Sequence, residues 1–497
     1  MNIKQAKDYI KDSVRMYLKK DEDGAYRIPV MRQRPIFLLG APGIGKTAIM
    51  EQIAEELHIA LVSYSMTHHT RQSALGLPFI CHKEYDGKEY DVSEYTMSEI
   101  ISSMYDTMAE SGIKEGILFL DEINCVSETL SPSMLQFLQY KVFGRHAVPE
   151  GWVIVTAGNP PEYNKSVRDF DVVTYDRLRV LEVEADYGAW KLYAREKGLH
   201  AAILNFLELK KDYFYYMETT VKGKLYVTAR GWEDLSEIIK LYEEENIAVD
   251  ETLVGQYLRS DRIVKEFTAY YDLYNKYKKD YRVEEILAGQ IPEHAVERAQ
   301  KAAFDERLSL LSLLLDTVMS EIRENMEQGA YLSELTAPLK ALQDKSAEDI
   351  SALLNKYIQT KEKQLYSQEK AGALSAEDKR KHRRILRFYD SVQKELVRQA
   401  DKEGFLVIKA LYGERVADMK KKTVRIQERL HALFVFAEEA FGEGNELLIL
   451  VTELTVNTKS AEFIARFGCP DYQKNNERMM LSGRQEEMRQ RIEKLEL

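Results

Sequence analysis

The sequence predicts an α/β fold built on a parallel β-sheet, followed by a helical lid and a long α-helical region. Apolar, strand-like stretches run into glycine or polar residues near residues 40, 121 and 158, as strands of a parallel sheet do when a ligand lies at their carboxyl ends. Beyond residue 262 the chain is rich in Glu, Lys, Leu and Ala, and no proline lies between Pro338 and Pro470. This composition is typical of long helices.

Residues 40–47 read Gly-Ala-Pro-Gly-Ile-Gly-Lys-Thr and have the G-x-x-x-x-G-K-[ST] spacing of a phosphate-binding loop. The glycines leave backbone N–H groups free to point at one anion. We expect the Lys46 ammonium to reach the β- and γ-phosphates of a nucleoside triphosphate and the Thr47 hydroxyl to bind Mg²⁺. A chance glycine-rich turn is the weaker interpretation, because a strand pattern precedes the loop and an amphipathic helical pattern follows it. The predicted nucleotide-binding residues are Gly40, Ala41, Pro42, Gly43, Ile44, Gly45, Lys46, Thr47 and Ala48.

Three polar residues follow two further predicted strands. Asp121 and Glu122 close the apolar stretch at residues 116–120. We expect Asp121 to orient Mg²⁺ through its water shell and Glu122 to be the base that polarises the attacking water. The alternative, an acidic turn that closes a strand, is less favoured downstream of a phosphate-binding loop. Asn159 follows the strand at residues 152–157, and its amide is expected beside the phosphates, where it can hold a water in line.

Arginines suited to spreading γ-phosphate charge occur at two places. Arg177 is the candidate for a finger that acts on a neighbouring subunit, and Arg179 is its nearest competitor. Arg230 stands at the start of a predicted helix. A solvated surface residue is the alternative for each of them.

These motifs resemble those of the AAA+ ATPases, and within them the MoxR-like, dynein-related (AAA_5-type) group. The matching segments are residues 40–47 with Walker A, 117–122 with Walker B, 157–160 with sensor 1, 176–178 with the arginine finger and 228–232 with sensor 2. One departure concerns the finger motif, which normally ends in Phe and here ends in Leu178. The resemblance covers roughly residues 1–260 and implies an α/β P-loop NTPase core. Glu122, Asn159, Arg177 and Arg230 are then the catalytic residues, Thr47 and Asp121 hold Mg²⁺, and ATP is the nucleotide.

The resemblance also implies an assembly and a task. Members form rings, most often hexamers, that remodel or activate a client protein, often with a partner bearing a von Willebrand factor A domain. The subgroup assignment depends on residues 85–90, which predict a hairpin around an Asp-Gly turn where the group carries an element facing the ring pore. Residues 68–71 lie where clients are met in this fold. The alternative function is a slow nucleotide-dependent interaction platform or switch, with nucleic acid as one partner that such a platform can have.

We expect an amphipathic helix over residues 1–20 and strands near residues 35–40, 60–65, 116–120, 152–157 and 179–183. The predicted domains are an α/β nucleotide-binding core (1–185), a helical lid (186–262) and an α-helical region that binds a partner or serves a structural role (263–497). In the last region, the aromatic stretch 267–274 and the apolar stretch 433–436 are expected in the core. The basic run 379–384 favours a solvated helix face or a seam against acidic neighbours over a nucleic-acid contact.

Bulk properties fit this interpretation. The formal net charge of −11 argues against broad nucleic-acid binding, which depends on phosphate neutralisation. Cys81, Cys125 and Cys469 are far apart and lack metal-type spacing, which predicts a reducing compartment and no catalytic role. The sequence shows no signal-peptide pattern and no run of eighteen apolar residues, so we expect a cytoplasmic protein without a membrane span.

Overall fold

A computed structural model of the protein describes residues 1–68, 71–163, 167, 170–220, 223–343, 345, 347–399, 404–442 and 444–478. In this structure the chain is divided into two units. The first unit comprises Met1–Ala189 and Asn355–Leu386, and the second comprises the described residues of Trp190–Leu354 and Arg387–Leu497. The predicted boundary at residue 185 lies near the observed division at Ala189. The first unit also includes residues 355–386, which the sequence-based division places in the helical region. The predicted boundary at 262 stays a prediction.

The strands and helices have the following bounds. The strands are β1 (Ile36–Gly40), β2 (Ala60–Ser65), β3 (Pro78–Tyr85), β4 (Lys88–Tyr95), β5 (Gly116–Asp121), β6 (Val142–Phe143), β7 (His146–Ala147), β8 (Trp152–Gly158), β9 (Arg179–Val183), β10 (Tyr216–Thr220) and β11 (Gly223–Val227). The helices before residue 300 begin with α1 (Ile3–Tyr17), α2 (Lys46–Leu57), α3 (Arg71–Leu75), α4 (Glu99–Ser111), α5 (Ser131–Tyr140), α6 (Val172–Arg177), α7 (Tyr187–Lys197), α8 (Ala201–Leu209), α9 (Ala229–Glu244), α10 (Glu251–Tyr257), α11 (Asp261–Asp280), α12 (Val283–Leu287) and α13 (Glu293–Lys301). The later helices are α14 (Phe304–Lys340), α15 (Ala347–Lys370), α16 (Ala376–Arg398), α17 (Gly404–Phe441), α18 (Asn445–Val456) and α19 (Thr458–Phe467), and residues 470–478 are also helical.

A five-stranded parallel sheet forms the centre of the first unit, in the order β2-β5-β8-β1-β9. Every residue of β8 is buried, and β5 is buried up to its final aspartate, which explains their nearly continuous apolar sequences. The carboxyl ends of β5, β8 and β1 therefore lie side by side. The predicted fold class, a parallel α/β sheet followed by a largely helical region, is confirmed.

The N-terminal helix packs on this sheet's first crossover helix. Asn2 and Gln5 form a capping box at the start of α1, and Lys7 and Lys11 both form ion pairs with Glu56 of α2. The predicted helix over residues 1–20 is present, but it ends at Tyr17.

Residues 355–386 cover the outer edge of the sheet. Strand β2 is an edge strand, and the N–H of Leu61 donates to the carbonyl of Ala371 at 2.8 Å in the turn between α15 and α16. Ser367 adds a hydrogen bond from its hydroxyl to the carbonyl of Ser111. Exposed strand edges invite pairing with other chains, so this turn protects the sheet. Its place on the core explains why the observed first unit reaches beyond residue 185.

Three antiparallel hairpins, β3–β4, β6–β7 and β10–β11, occur in the described part of the chain. The predicted hairpin around Asp86 and Gly87 is confirmed: β3 and β4 pair along their full length, and both turn residues have positive φ, 50° and 74°, as two-residue hairpin turns require. The pair β10–β11 lies within the segment predicted as a helical lid, and the sequence analysis did not predict these two strands. Its strands are rich in Tyr, Thr and Val, which favour strands.

The second unit buries aromatic and long apolar side chains. Phe267, Tyr271 and Tyr274 of α11 are buried, as are Leu433, Phe434 and Phe436 of α17, which confirms that both stretches belong to the core.

In the first unit, Lys379 and Lys381 of the basic run form ion pairs with Glu369 and Asp378. These pairs are consistent with the solvated-face interpretation of that run.

Candidate nucleotide-binding site

The loop between β1 and α2 has the backbone conformation that a phosphate cradle needs. Gly43 and Gly45 have φ of 74° and 96°, a region that side chains disfavour. Gly40 has a different reason to be glycine, because a Cβ atom there would lie 2.6 Å from the carbonyl oxygen of Val183 on β9. Gly45 caps α2, which begins at Lys46. The free N–H groups and partial positive charge of that helix terminus suit an anion.

Lys46 connects the loop to the end of β8. Its side chain is only 7% exposed, and its ammonium donates to the carbonyls of Gly40 (2.7 Å) and Ala41 (2.9 Å) and to Oδ1 of Asn159 (2.8 Å). The structure therefore brings together two residues that are 113 positions apart in sequence. These contacts hold the ammonium at the mouth of the loop, next to the amide that follows β8.

Thr47 and Asp121 place two side-chain oxygen atoms next to each other. The Thr47 hydroxyl donates to Oδ2 of Asp121 at 3.1 Å. Hydroxyl and carboxylate oxygens are hard donors that suit Mg²⁺, which commonly keeps several waters and binds substrate phosphates as well. The described residues contain no cluster of three or more His, Cys, Asp or Glu that could hold a metal by itself. The chemistry of the Thr47 and Asp121 oxygens fits a magnesium ion that is shared between protein, water and nucleotide.

The backbone of Glu122 has a left-handed conformation that differs from the conformation of a strand residue. Its φ is 54°, an uncommon backbone state for a residue with a side chain that tends to occur at functional sites. Its carboxylate accepts hydrogen bonds from the hydroxyls of Ser65 and Thr67, both at 3.1 Å. Its N–H donates to Oδ1 of Asp121 at 2.8 Å. Ser65 and Thr67 were not predicted as site residues. Ser65 is the last residue of the predicted strand 60–65 and Thr67 lies two positions further on, and only the pairing of β2 with β5 shows that they reach Glu122.

Asn124 is a second residue that sequence reasoning missed. It is 5% exposed, and its Nδ2 donates to the backbone carbonyl of Asn159 at 2.8 Å. A Cβ atom at Gly158 would lie 2.5 Å from Oδ1 of Asn124, so glycine is needed for this close approach. Asn124 fixes the backbone that carries the Asn159 amide. In the sequence, Asn124 is recognisable only as a polar residue two positions after the carboxylates of residues 121 and 122.

We expect Asn124→Ala to lower kcat for ATP hydrolysis by about tenfold to 100-fold, because a small displacement of a positioned group is costly in rate. KM for ATP should change little, since the phosphate-binding loop is untouched. Steady-state phosphate release measures both constants, and Thr129→Ala in the same loop is the control. Equal kcat in the two variants would show that Asn124 does not position Asn159.

The Cys125 thiol lies next to these carboxylates. Burial, with the charges of Glu122 and Asp121, raises the pKa of this thiol, so it stays protonated near neutral pH. None of the three cysteines, all of which lie in the described part of the chain, forms a disulfide.

The candidate arginines differ in exposure. Arg177 ends α6 and is exposed, whereas Arg179 begins β9 and is half-buried. Leu178 between them is 5% exposed and packs in the core of the first unit, so leucine replaces the usual phenylalanine at a buried position. Hydrogen bonds from Thr174, and to a smaller degree the charge of Arg177, lower the pKa of the Asp171 carboxyl that caps α6.

Arg230 lies in the second unit. It is the second residue of α9 and is exposed, and Thr228 caps this helix by accepting a hydrogen bond from the N–H of Gly231 at 3.3 Å. Its contribution to the site stays a prediction. In the predicted client-contact segment 68–71, His69 and Thr70 lie outside the described residues.

Comparison with known families supports this geometry. Residues 36–172 match the model of the ATPase family associated with various cellular activities (AAA). This segment is therefore similar to an AAA domain. The match spans the phosphate-binding loop, Asp121, Glu122 and Asn159, and it supports nucleotide-dependent ATPase activity. Arg177, Arg230 and the helical region lie beyond the matched AAA segment. No curated protein matches the chain. None of the helices in the described part of the chain is long and apolar enough to cross a bilayer.

Proposed function

We propose that this protein is a MoxR-like AAA+ chaperone that assembles into a ring, hydrolyses ATP and uses the energy to remodel or activate a client protein. One observation carries the catalytic part of this proposal. Lys46, Thr47, Asp121, Glu122 and Asn159 meet where the carboxyl ends of three adjacent strands reach the phosphate-binding loop.

Each residue has a distinct task in hydrolysis. The N–H groups of the loop and the Lys46 ammonium bind the phosphates of ATP. Thr47 and Asp121 hold Mg²⁺, which neutralises charge on the phosphate oxygens when bound. Glu122 accepts a proton from the attacking water, and Asn159 orients that water. For this step Glu122 must exchange the hydroxyls of Ser65 and Thr67 for the water as its hydrogen-bond partner. Those two residues thereby set how readily the base becomes available.

A ring completes the site in our proposal. The exposed position of Arg177 at the end of α6 allows its guanidinium to reach the γ-phosphate held by a neighbouring subunit, where an arginine stabilises the charge of the transition state. A hexamer is the ring size that the family resemblance implies.

We expect Arg177→Ala to lower the hydrolysis rate of the assembled protein by about 10³-fold or more and to leave ATP affinity nearly unchanged. Arg179→Ala is the matched control, because it removes the neighbouring guanidinium from a half-buried strand position. Mixing Arg177→Ala with Glu122→Gln subunits should restore part of the activity, since one subunit then supplies the base and the other the finger. A normal rate in Arg177→Ala would exclude this residue as the finger.

The β3–β4 hairpin supports client contact. Phe79, Ile80, Tyr85 and Tyr90 on this hairpin are exposed, and large exposed apolar groups commonly mark interaction sites. We propose that this hairpin faces the ring pore and touches the client, and that a partner bearing a von Willebrand factor A domain takes part. A pulldown with the Glu122→Gln variant tests the proposal: a protein retained with ATP, and released when Phe79 and Ile80 are both changed to Ser, supports it. Equal retention by both forms contradicts a client site on this hairpin.

The alternative function, a slow nucleotide-dependent platform, is favoured by one observation. Glu122 is engaged by two hydroxyls in this structure, which suits slow basal turnover. The two functions differ in their response to a client. A remodelling enzyme speeds up when the client binds, whereas a platform hydrolyses ATP at the same low rate with or without its partner.

A further inference from the structure

A cavity of about 380 Å³ lies within the second unit, lined by residues of α7, α8, α14 and α18. Its size falls in the lower part of the range of about 300–1,000 Å³ that small-molecule sites occupy. Most of its wall is apolar, and its apolar lining residues include Leu199, Leu204, Leu308, Leu315, Met319 and Ile449. The cavity is separate from the AAA domain, because all of its lining residues belong to the second unit.

Three polar side chains in this wall lack partners. Among the described residues, neither the Asp316 carboxylate nor the Arg323 guanidinium forms a hydrogen bond or an ion pair, and Nδ2 of Asn205 is buried without an acceptor. Burial raises the pKa of the Asp316 carboxyl, as expected for a carboxyl that lacks a partner. The other charges in the wall are satisfied, since Lys191 pairs with Glu208 and Arg195 pairs with Glu453.

The unpaired groups are arranged along one helix face. Asp316 and Arg323 are seven residues apart on α14, which places them on the same face about 10 Å apart along the helix axis. Long side chains on a helix commonly lean toward its N-terminus, which is the direction in which Asp316 lies from Arg323. Gly198 leaves room for this guanidinium, because a Cβ atom at that position would collide with it. The wall thus offers one anion and one cation, with an amide donor on the facing helix α8.

We propose that this cavity binds a small zwitterion, a free α-amino acid with an aliphatic side chain. Asp316 receives the ammonium group, Arg323 and Asn205 receive the carboxylate, and the leucine-rich wall contacts the aliphatic chain. Asp316 and Arg323 are half-buried, where a charge without a partner loses part of its hydration, and a zwitterion satisfies the two opposite charges together. A diamine would leave the Arg323 guanidinium without a partner, and a dicarboxylate would leave the Asp316 carboxylate without one.

The test is calorimetric titration of the full chain with L-leucine and with two analogues that each lack one charge. The analogue 4-methylpentanoate has no ammonium, and 3-methylbutylamine has no carboxylate. We expect L-leucine to bind and each analogue to bind at least tenfold more weakly. Absence of L-leucine binding at millimolar concentration, or equal binding of the three compounds, would overturn the proposal.

Variants then place the site. Asp316→Asn and Arg323→Gln should each weaken L-leucine binding at least tenfold, whereas Glu324→Gln, which changes an exposed neighbour on the same helix, should leave it unchanged. Unchanged binding in both cavity variants would overturn the assignment to this cavity. If either variant fails to fold, the comparison of the three compounds on the unmodified chain still decides whether the two charges of a zwitterion are recognised.

Discussion

Glu122→Gln is expected to retain bound ATP and to reduce its hydrolysis by about 10²–10⁴-fold, the range that general bases contribute. The substitution keeps the size of the side chain and its ability to contact Ser65 and Thr67, which lie 3.1 Å from the carboxylate. It removes the capacity to accept a proton at neutral pH. The loop residues and the Lys46 ammonium are unchanged, so the ATP affinity should stay near that of the unmodified protein.

Two measurements check this prediction together. Phosphate release gives kcat, and calorimetry with ATP in the absence of turnover gives the affinity. Glu150→Gln, an exposed glutamate in the same unit, is the control and should change neither. A normal kcat in Glu122→Gln would show that another group activates the water, and loss of ATP binding would show that Glu122 has a structural role.

Lys46→Ala is expected to weaken ATP binding by about 30-fold or more, because truncating one member of a buried, hydrogen-bonded charge pair costs about 2–5 kcal/mol. The phosphates would then meet no ammonium at the mouth of the loop. The same change removes hydrogen bonds to Gly40, Ala41 and Asn159, so Asn159 loses one of its fixed neighbours as well.

Calorimetry with ATP measures this effect, and circular dichroism verifies that the variant remains folded. Lys114→Ala removes an exposed lysine from the same unit and should bind ATP normally. If Lys46→Ala retained the affinity of the Lys114→Ala control, the phosphates could not lie against this ammonium.

The site residues that were predicted from the sequence lie in short contiguous segments of the chain. Residues 40–47 carry their own spacing, and Asp121 and Glu122 end an apolar strand, so contiguous residues suffice to recognise them. Ser65, Thr67 and Asn124 have no such pattern. Their importance comes from hydrogen bonds to Glu122 and Asn159, which depend on how separate strands pair.

The same limit applies to the fold. Continuous apolar runs predicted the parallel strands, because strands buried on both faces must be apolar throughout. The turn between α15 and α16, which covers the edge strand β2, could not be predicted in this way. Leu61 and Ala371 lie hundreds of positions apart in the sequence, and their contact uses backbone atoms. The β10–β11 hairpin was missed because its strands are short and lie between helical patterns.

The most direct test of the central claim is a structure of Glu122→Gln with ATP and Mg²⁺. We predict that the phosphates lie against the backbone N–H groups of residues 43–47 and the Lys46 ammonium. The metal should lie beside Thr47 and Asp121, with the side chain at position 122 next to the terminal phosphate. Nucleotide bound elsewhere, or a terminal phosphate far from position 122, would contradict the account.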